Sequence, residues 1–271
     1  MTDRYCVIGN PIAHSKSPAI HAAFALQTGQ SLVYERCLAP LDGFATTVAQ
    51  LIATGCKGAN VTVPFKLDAA ALATSLSARA QAAGAVNTFT FADGAITGDN
   101  TDGAGLVGDI VRNARFSIAG KRVLLLGAGG AARGVMLPLL TEQPSEIVIA
   151  NRTRATADAL VQRFAGQGAS VSACGFTELD GQFDLVVNAT SASLNDSMPP
   201  IPVGVFSSNT LALDMMYGSK PTVFMAFAHA HGATTRDGLG MLVEQAAEAF
   251  TVWRGVRPGT AAILQQLRSA S

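Results

Sequence analysis

A glycine-rich turn placed near the middle of the chain constrains its fold more than any other feature. Residues 121–126 (KRVLLL) form a short, nearly all-apolar run, the pattern of a buried parallel strand. The run enters Gly127-Ala128-Gly129-Gly130-Ala131-Ala132, a G-x-G-x-x-A turn, and a helical pattern continues to Leu140. Glycines in such a turn let the backbone approach a pyrophosphate closely, and the following helix N-terminus attracts its charge. Alone the motif is weak. A strand before it and a helix after it make it a dinucleotide-binding fingerprint.

The next strand, residues 146–150 (EIVIA), bears on which dinucleotide fits. An NAD site places an acid roughly 20 residues past the turn, on the ribose 2′-hydroxyl. This chain carries Asn151-Arg152-Thr153-Arg154 there instead. Two guanidiniums and a hydroxyl suit a 2′-phosphate through charge-assisted bonds. One basic residue would read as solvated loop; the set, at this distance from the turn, reads as an NADP site.

Residues ahead of the turn carry their own alternation of strand and helix. Strands are expected at 5–9, 32–38 and 59–63, and helices at 18–28, 43–53 and across 66–83. Residues 85–100 alternate around Asp93-Gly94, a hairpin signal. Behind the turn, helices are expected at 155–164 and 222–231, with strands near 170–173, 185–189 and ending at 211–214. Two more helices, 242–254 and 260–267, follow after the nucleotide unit is complete and are placed back on the first unit. The fold expected is therefore α/β, with two domains. Residues 1–102, completed by 239–271, form an N-terminal α/β substrate domain. Residues 103–238 form a Rossmann-type NADP-binding domain. A length of 271 residues suits two domains better than one core.

Composition narrows the partners. The chain is 49% hydrophobic and 14% charged, with 19 basic and 19 acidic residues. That balance argues against nucleic acid or an anionic membrane as partner. No apolar run is long enough for a membrane span, and no secretory leader pattern opens the chain. Cys6, Cys37, Cys56 and Cys174 lie far apart among apolar or small neighbours and read as buried free thiols. With His14, His21, His229 and His231 they form no metal-ligand spacing. A cytoplasmic, metal-free protein is expected, and either a monomer or a homodimer fits.

Several polar residues stand where chemistry could use them. Lys66 follows NVTVPF at the end of an expected strand, and Asp102 closes DNTD at another. An ammonium beside a carboxylate can donate to and accept from a substrate oxygen while staying oriented. The plain readings are a surface lysine at a helix start and an N-cap aspartate ahead of Gly103. Ser17-Pro18 makes a cap and first-turn pair, whereas Ser15 has no such job; two hydroxyls there could grip a carboxylate. Asn87 interrupts a strand pattern with an amide that can bond a substrate hydroxyl. Gln245 reads otherwise as an ordinary helix-surface glutamine.

Together and in this order, the stretches GNPIAHSKSP, NVTVPFK, AGAVNT, GDNTDGAG, GAGGAAR, NRT, NAT, DMMYG and DGLGMLVEQAAEAF resemble the shikimate dehydrogenase family. They run from residue 9 to residue 250, nearly the whole chain. The resemblance implies an NADP-linked interconversion of 3-dehydroshikimate and shikimate. It implies Lys66 as proton donor, with Asp102 orienting it, and Ser15, Ser17, Thr62, Asn87, Tyr217 and Gln245 as further substrate contacts. It implies a cofactor site at Gly127, Ala128, Gly129, Gly130, Ala131, Asn151, Arg152 and Thr153. Met215, Gly238 and Met241 then fall at the nicotinamide end.

Two positions depart from the family pattern. Ser191-Ala192-Ser193-Leu194 follows Thr190 where a glycine is common, and Ser193 would resist a positive φ. Ala22 follows His21 where an asparagine is common. Two other readings stay open: a quinate and shikimate dehydrogenase of broader cofactor use, and a non-catalytic sensor of shikimate-pathway metabolites.

Overall fold

The computed structural model describes residues 2–269. The chain separates into two compact units, Met1–Gly105 with Val243–Ala270, and Leu106–Leu242.

The first unit contains β1 (Asp3–Gly9), α1 (Ser17–Thr28), β2 (Leu32–Leu38), α2 (Phe44–Ala53), β3 (Cys56–Val61), α3 (Lys66–Leu72), β4 (Ser75–Leu76), α4 (Ala78–Ala83), β5 (Thr88–Ala92) and β6 (Ala95–Asp99). The next helix, α5 (Asp102–Gly108), starts here and ends in the second unit. The six strands form one mixed sheet in the order β2-β1-β3-β5-β6-β4. β1 pairs in parallel with β2 and β3, while the β5–β6 hairpin runs antiparallel to β3 and turns at Asp93-Gly94. Both residues of that turn have positive φ, which a two-residue hairpin of this type requires. One core layer packs Ile8, Val61, Phe65 and Phe89 with Phe44 of α2. That layer fixes the carboxyl ends of β1 and β3, where Thr62 and Lys66 follow.

The second unit contains β7 (Arg122–Leu126), α6 (Gly130–Thr141), β8 (Glu146–Ala150), α7 (Arg154–Arg163), β9 (Ser170–Cys174), β10 (Leu185–Asn188), β11 (Leu211–Asp214), α8 (Val223–Ala230) and β12 (Thr234–Arg236). Its strands are all parallel, in the order β12-β11-β10-β7-β8-β9. The chain winds outward from β7 through β8 to β9, then returns to β10 on β7's other side. This is a doubly wound Rossmann sheet, and its switch point lies between β7 and β10, where such sheets bind ligands. The glycine turn leaves β7 there. All residues of β10 and β11 are buried, as expected of strands covered on both faces.

Two helices end the chain, α9 (Leu239–Arg254) and α10 (Ala261–Ser269). From Val243 onward they belong to the first unit. Trp253 anchors α9 there, donating from Nε1 to Phe89 O at 2.9 Å and stacking on Tyr5 at 4.6 Å. Arg254 pairs with Asp3, and Arg79 of α4 reaches Glu248 at 2.8 Å.

Two strands were not expected. β4 separates the helices expected across 66–83: the alanine-rich sequence favours helix, but Ser77 restarts the chain as an N-cap, accepting from Ala80 N at 3.2 Å. β12 spans Thr-Thr-Arg, a polar edge strand with no apolar alternation to betray it. Of the four thiols, Cys6 and Cys56 are buried, whereas Cys37 and Cys174 are only half-buried.

Candidate active site

In the first unit, Lys66 opens α3 and Asp102 opens α5, and their side chains meet. Lys66 Nζ donates to Asp102 Oδ2 at 2.6 Å, and Asn87 Nδ2 donates to Asp102 Oδ1 at 2.8 Å. Both oxygens of Asp102 accept, the role of an ionised carboxylate. Asp102 is an N1 residue rather than the cap, and Asn100 Oδ1 accepts its backbone N–H at 3.1 Å. Lys66 is 28% exposed along its side chain and Asp102 10%. The ammonium thus spends one of its three donors on Asp102 and keeps a path to solvent for the others.

Asn87 is buried, with its amide orientation set by its neighbours. Thr101 N and Thr88 Oγ1 both donate to Asn87 Oδ1 at 2.8 Å. A backbone N–H can only donate, so Oδ1 faces it and Nδ2 faces Asp102. Gln245 of α9 joins the group: its Oε1 accepts from Thr101 Oγ1 at 3.3 Å and from Asn87 Nδ2 at 3.4 Å. It is therefore not an ordinary surface glutamine.

The serine pair is arranged differently from the expectation. Helix α1 begins at Ser17, its N-cap position is Lys16, and the Lys16 side chain makes no cap bond. Ser15 Oγ instead accepts Ser17 N–H at 3.3 Å, so the hydroxyl thought to lack a structural job has one. Arg36 of β2 holds the same segment, donating from Nη2 to Ser15 O at 2.6 Å. Thr62 is half-buried beyond β3, its backbone N–H donating to Ile8 O at 2.9 Å.

In the second unit, Gly127 has φ 101°, a region closed to most side chains, and a Cβ there would press on Ala189 O and Thr190 Cγ2 at 3.2 Å. Ala128 is buried beneath the turn. A Cβ at Gly129 or Gly130 would meet nothing, and no side chain caps the start of α6 at Gly130-Ala131. Uncrowded backbone N–H groups at a helix N-terminus suit a pyrophosphate.

Beyond β8, Asn151 Nδ2 donates to Thr153 O at 2.9 Å, which shapes the loop. Thr153 is the N-cap residue of α7 but makes no side-chain cap bond. The two arginines have parted. Arg154 pairs with Glu178 at 2.9 Å and with Asp158, one helical turn on, at 3.8 Å. Arg152 is exposed and has no ion pair among the described residues. Of the two guanidiniums expected to be available, only that of Arg152 is thus without an ion pair.

At the end of β11, Asp214 is fully buried and accepts from Ser193 Oγ at 2.6 Å, Thr222 Oγ1 at 2.7 Å, Met216 N at 3.0 Å and Asn188 Nδ2 at 3.3 Å. Four neutral donors fix the loops after β10 and β11 to one carboxylate. Ser193 is not among the described residues with positive φ; it sits in a short 3₁₀ turn, Ala192–Asn195, so the strain expected there is absent. Met215 is half-buried, Met241 is buried, and a Cβ on Gly238 would lie 2.1 Å from Met215 O. Gly238 is thus required by backbone packing. Tyr217 follows on the same loop, half-buried, and burial raises its phenol above the ordinary range.

Sequence reasoning missed Asn60, Thr88, Thr101, Asp214 and Thr222. Asn60, Thr88, Thr101 and Asp214 stand inside the motifs quoted for their neighbours, so motif membership was the available signal.

Residues 7–89 match the family described as shikimate dehydrogenase substrate binding domain, and residues 109–195 match shikimate / quinate 5-dehydrogenase. Residues 238–268 match the shikimate 5′-dehydrogenase C-terminal domain. The chain is 64% identical to the shikimate dehydrogenase (NADP(+)) of Herminiimonas arsenicoxydans, over 99% of this chain and 98% of that one. The structure of an Ael1 enzyme from Pseudomonas putida is similar at a TM-score of 0.94 and 49% identity, covering 98% of each chain. The shikimate 5-dehydrogenase of Thermus thermophilus, solved with NADP(H) and shikimate, is similar at a TM-score of 0.87 and 32% identity, covering 100% of both.

Proposed function

The chain belongs to the shikimate dehydrogenase family, and from that premise we propose that it catalyses the reversible, NADP-dependent reduction of 3-dehydroshikimate to shikimate. The observation that carries the reading is the Lys66–Asp102 contact of 2.6 Å, with Asn87 holding the other carboxylate oxygen. During reduction Lys66 Nζ gives a proton to the ketone oxygen, and during oxidation it receives one from the hydroxyl. Asp102 keeps the ammonium oriented and offsets its charge. Positioned proton transfer of this kind contributes typically 10²–10⁴-fold in rate. The partly exposed Lys66 side chain exchanges its proton with solvent between turnovers.

Ser15, Ser17, Thr62, Asn87, Tyr217 and Gln245 are assigned to the substrate. Ser15 and Ser17, at the start of α1 and beside the Arg36 guanidinium, suit a carboxylate. Asn87 and Gln245, both polar and facing the Asp102 cluster, suit ring hydroxyls.

The residues of the second unit fit NADP. Gly127, Ala128, Gly129, Gly130 and Ala131 present backbone rather than side chains at a helix N-terminus, and Arg152 offers an uncommitted guanidinium beside Asn151 and Thr153. Met215, Gly238 and Met241 are assigned to its nicotinamide end. When bound, NADPH would supply the hydride for reduction and NADP⁺ would accept it in the reverse direction. Among the described residues no helix is long and apolar enough to cross a membrane. Four free thiols suit a reducing compartment, which supports placement in the cytoplasm.

Following NADPH formation by the purified chain tests the reading, with shikimate against quinate and NADP⁺ against NAD⁺. Turnover that prefers shikimate and NADP⁺ supports it. Equal use of quinate or NAD⁺ would favour the broader dehydrogenase.

A further inference from the structure

Behind the Lys66–Asp102 pair lies a file of buried hydrogen bonds that all point the same way. Tyr34 Oη donates to Asn60 Oδ1 at 2.7 Å. Asn60 Nδ2 donates to Asn87 O at 3.2 Å and to Thr88 Oγ1 at 3.0 Å. A backbone carbonyl can only accept, so the Asn60 amide has one orientation and Thr88 Oγ1 is its acceptor. Having accepted there, the Thr88 hydroxyl turns its proton to Asn87 Oδ1 at 2.8 Å, and the Asn87 amide then donates to Asp102 Oδ1 at 2.8 Å. Thr88 is fully buried, and Tyr34 nearly so.

We propose that Thr88 is a positioning residue for the reaction, acting through Asn87 to hold Asp102 and hence Lys66. The inference rests on the reading above. Aligned donors polarise one another, and here each dipole presents its positive end towards the Asp102 carboxylate. Thr88 is the hydroxyl that joins the two amides, accepting from Asn60 and donating to Asn87. Without its hydroxyl, Asn60 Nδ2 loses an acceptor, Asn87 Oδ1 loses a donor, and the amide facing Asp102 is less firmly held. Its methyl group, by contrast, is not needed for the file.

Two variants separate this role from packing. Thr88→Val keeps the shape and removes the hydroxyl; Thr88→Ser keeps the hydroxyl and removes the methyl. Both are assayed with shikimate and NADP⁺, and shikimate affinity is measured by calorimetry without nucleotide. Leaving a buried polar partner unsatisfied predicts a roughly 5- to 100-fold loss in kcat/KM for shikimate in Thr88→Val. Its shikimate affinity falls too, while its KM for NADP⁺ stays within about twofold of wild type. Thr88→Ser should stay within about threefold throughout, and a larger loss there overturns the inference even if Thr88→Val fails to fold. Thr88→Val with wild-type turnover and affinity, or Thr88→Ser losing as much as Thr88→Val, would overturn the inference. A wild-type chain with no turnover would instead overturn the functional reading and the inference with it.

Discussion

Asn87 donates to Asp102 from one side, at 2.8 Å, and through that bond the first unit's buried polar interior reaches the Lys66–Asp102 pair. The other oxygen of Asp102 faces Lys66. In the proposed reaction the ammonium carries the mobile proton and the carboxylate is its counter-charge. That division of roles separates what should abolish turnover from what should only weaken binding.

Arg152 should read the 2′-phosphate alone, because Arg154 is engaged by Glu178 and Asp158. Hydrogen bonds to charged groups are worth about 1.5–3 kcal/mol, so Arg152→Ala should raise the KM for NADP⁺ roughly 10- to 150-fold. The KM for NAD⁺ should move by less than about threefold, since no phosphate is there to lose its partner. Arg154→Ala should change both much less. Steady-state kinetics with each nucleotide checks this.

Ser193 ties the loop after β10 to Asp214 at 2.6 Å, where family members commonly have glycine. Ser193→Gly removes that bond and frees the backbone, together about 1–2 kcal/mol. Weaker NADP⁺ binding by roughly 3- to 10-fold is expected, with shikimate affinity unchanged. Calorimetric titration of each ligand separately measures it.

His21 should make the first unit sensitive to mild acid. Its ring is fully buried, stacked on Tyr34 at 4.1 Å, and among the described residues no group meets either nitrogen at full hydrogen-bond geometry. Burial pushes its pKa down to about 3, against a smaller upward pull from Asn60. The folded pKa is depressed, so this group's contribution is fully present above the unfolded value of about 6.5 and is lost as pH falls below it. Between pH 7.5 and 5 the unfolded chain takes up the proton and the folded chain does not, a loss of about 2 kcal/mol. His21→Phe should flatten that slope in denaturant titrations run across the range.

The Arg236–Asp109 pair should show an asymmetry set by burial. Arg236 Nη2 and Nε donate to the Asp109 carboxylate at 2.6 and 3.0 Å, and the Asp109 side chain is 0% exposed against 19% for Arg236. Removing the guanidinium strands a wholly buried carboxylate, a cost of about 3–5 kcal/mol in Arg236→Met. Asp109→Asn leaves a cation with some access to water and should cost about 1–3 kcal/mol. Equal losses in urea unfolding would contradict the argument.

Much of this was legible before any coordinates. The glycine turn, the hairpin at Asp93-Gly94 and the long apolar strands announce themselves because period and turn chemistry are local properties. β4 and β12 did not, since strands of two or three residues have no period to read. Lys66 and Asp102 could be named from their motifs, but their contact depends on β3 and β6 lying in one sheet, a long-range fact. Ser17, expected as the cap, is the first residue of the helix, and Ser15 Oγ accepts its N–H; a one-residue shift in a helix start lies below what spacing resolves. Arg154 looked free for the same kind of reason: Glu178 is distant in sequence and adjacent only once β9 is laid down. The Tyr34–Asn60–Thr88–Asn87 file joins three strands and had no local signature.

The most direct test sets wild type beside Lys66→Met, measuring NADPH formation from shikimate and NADP⁺ and shikimate affinity by calorimetry in the same preparations. Turnover is expected in wild type, with a loss of roughly 10²–10⁴-fold in kcat in Lys66→Met and shikimate still bound. A wild type that binds both ligands without turnover, or a Lys66→Met variant as active as wild type, would contradict the assignment.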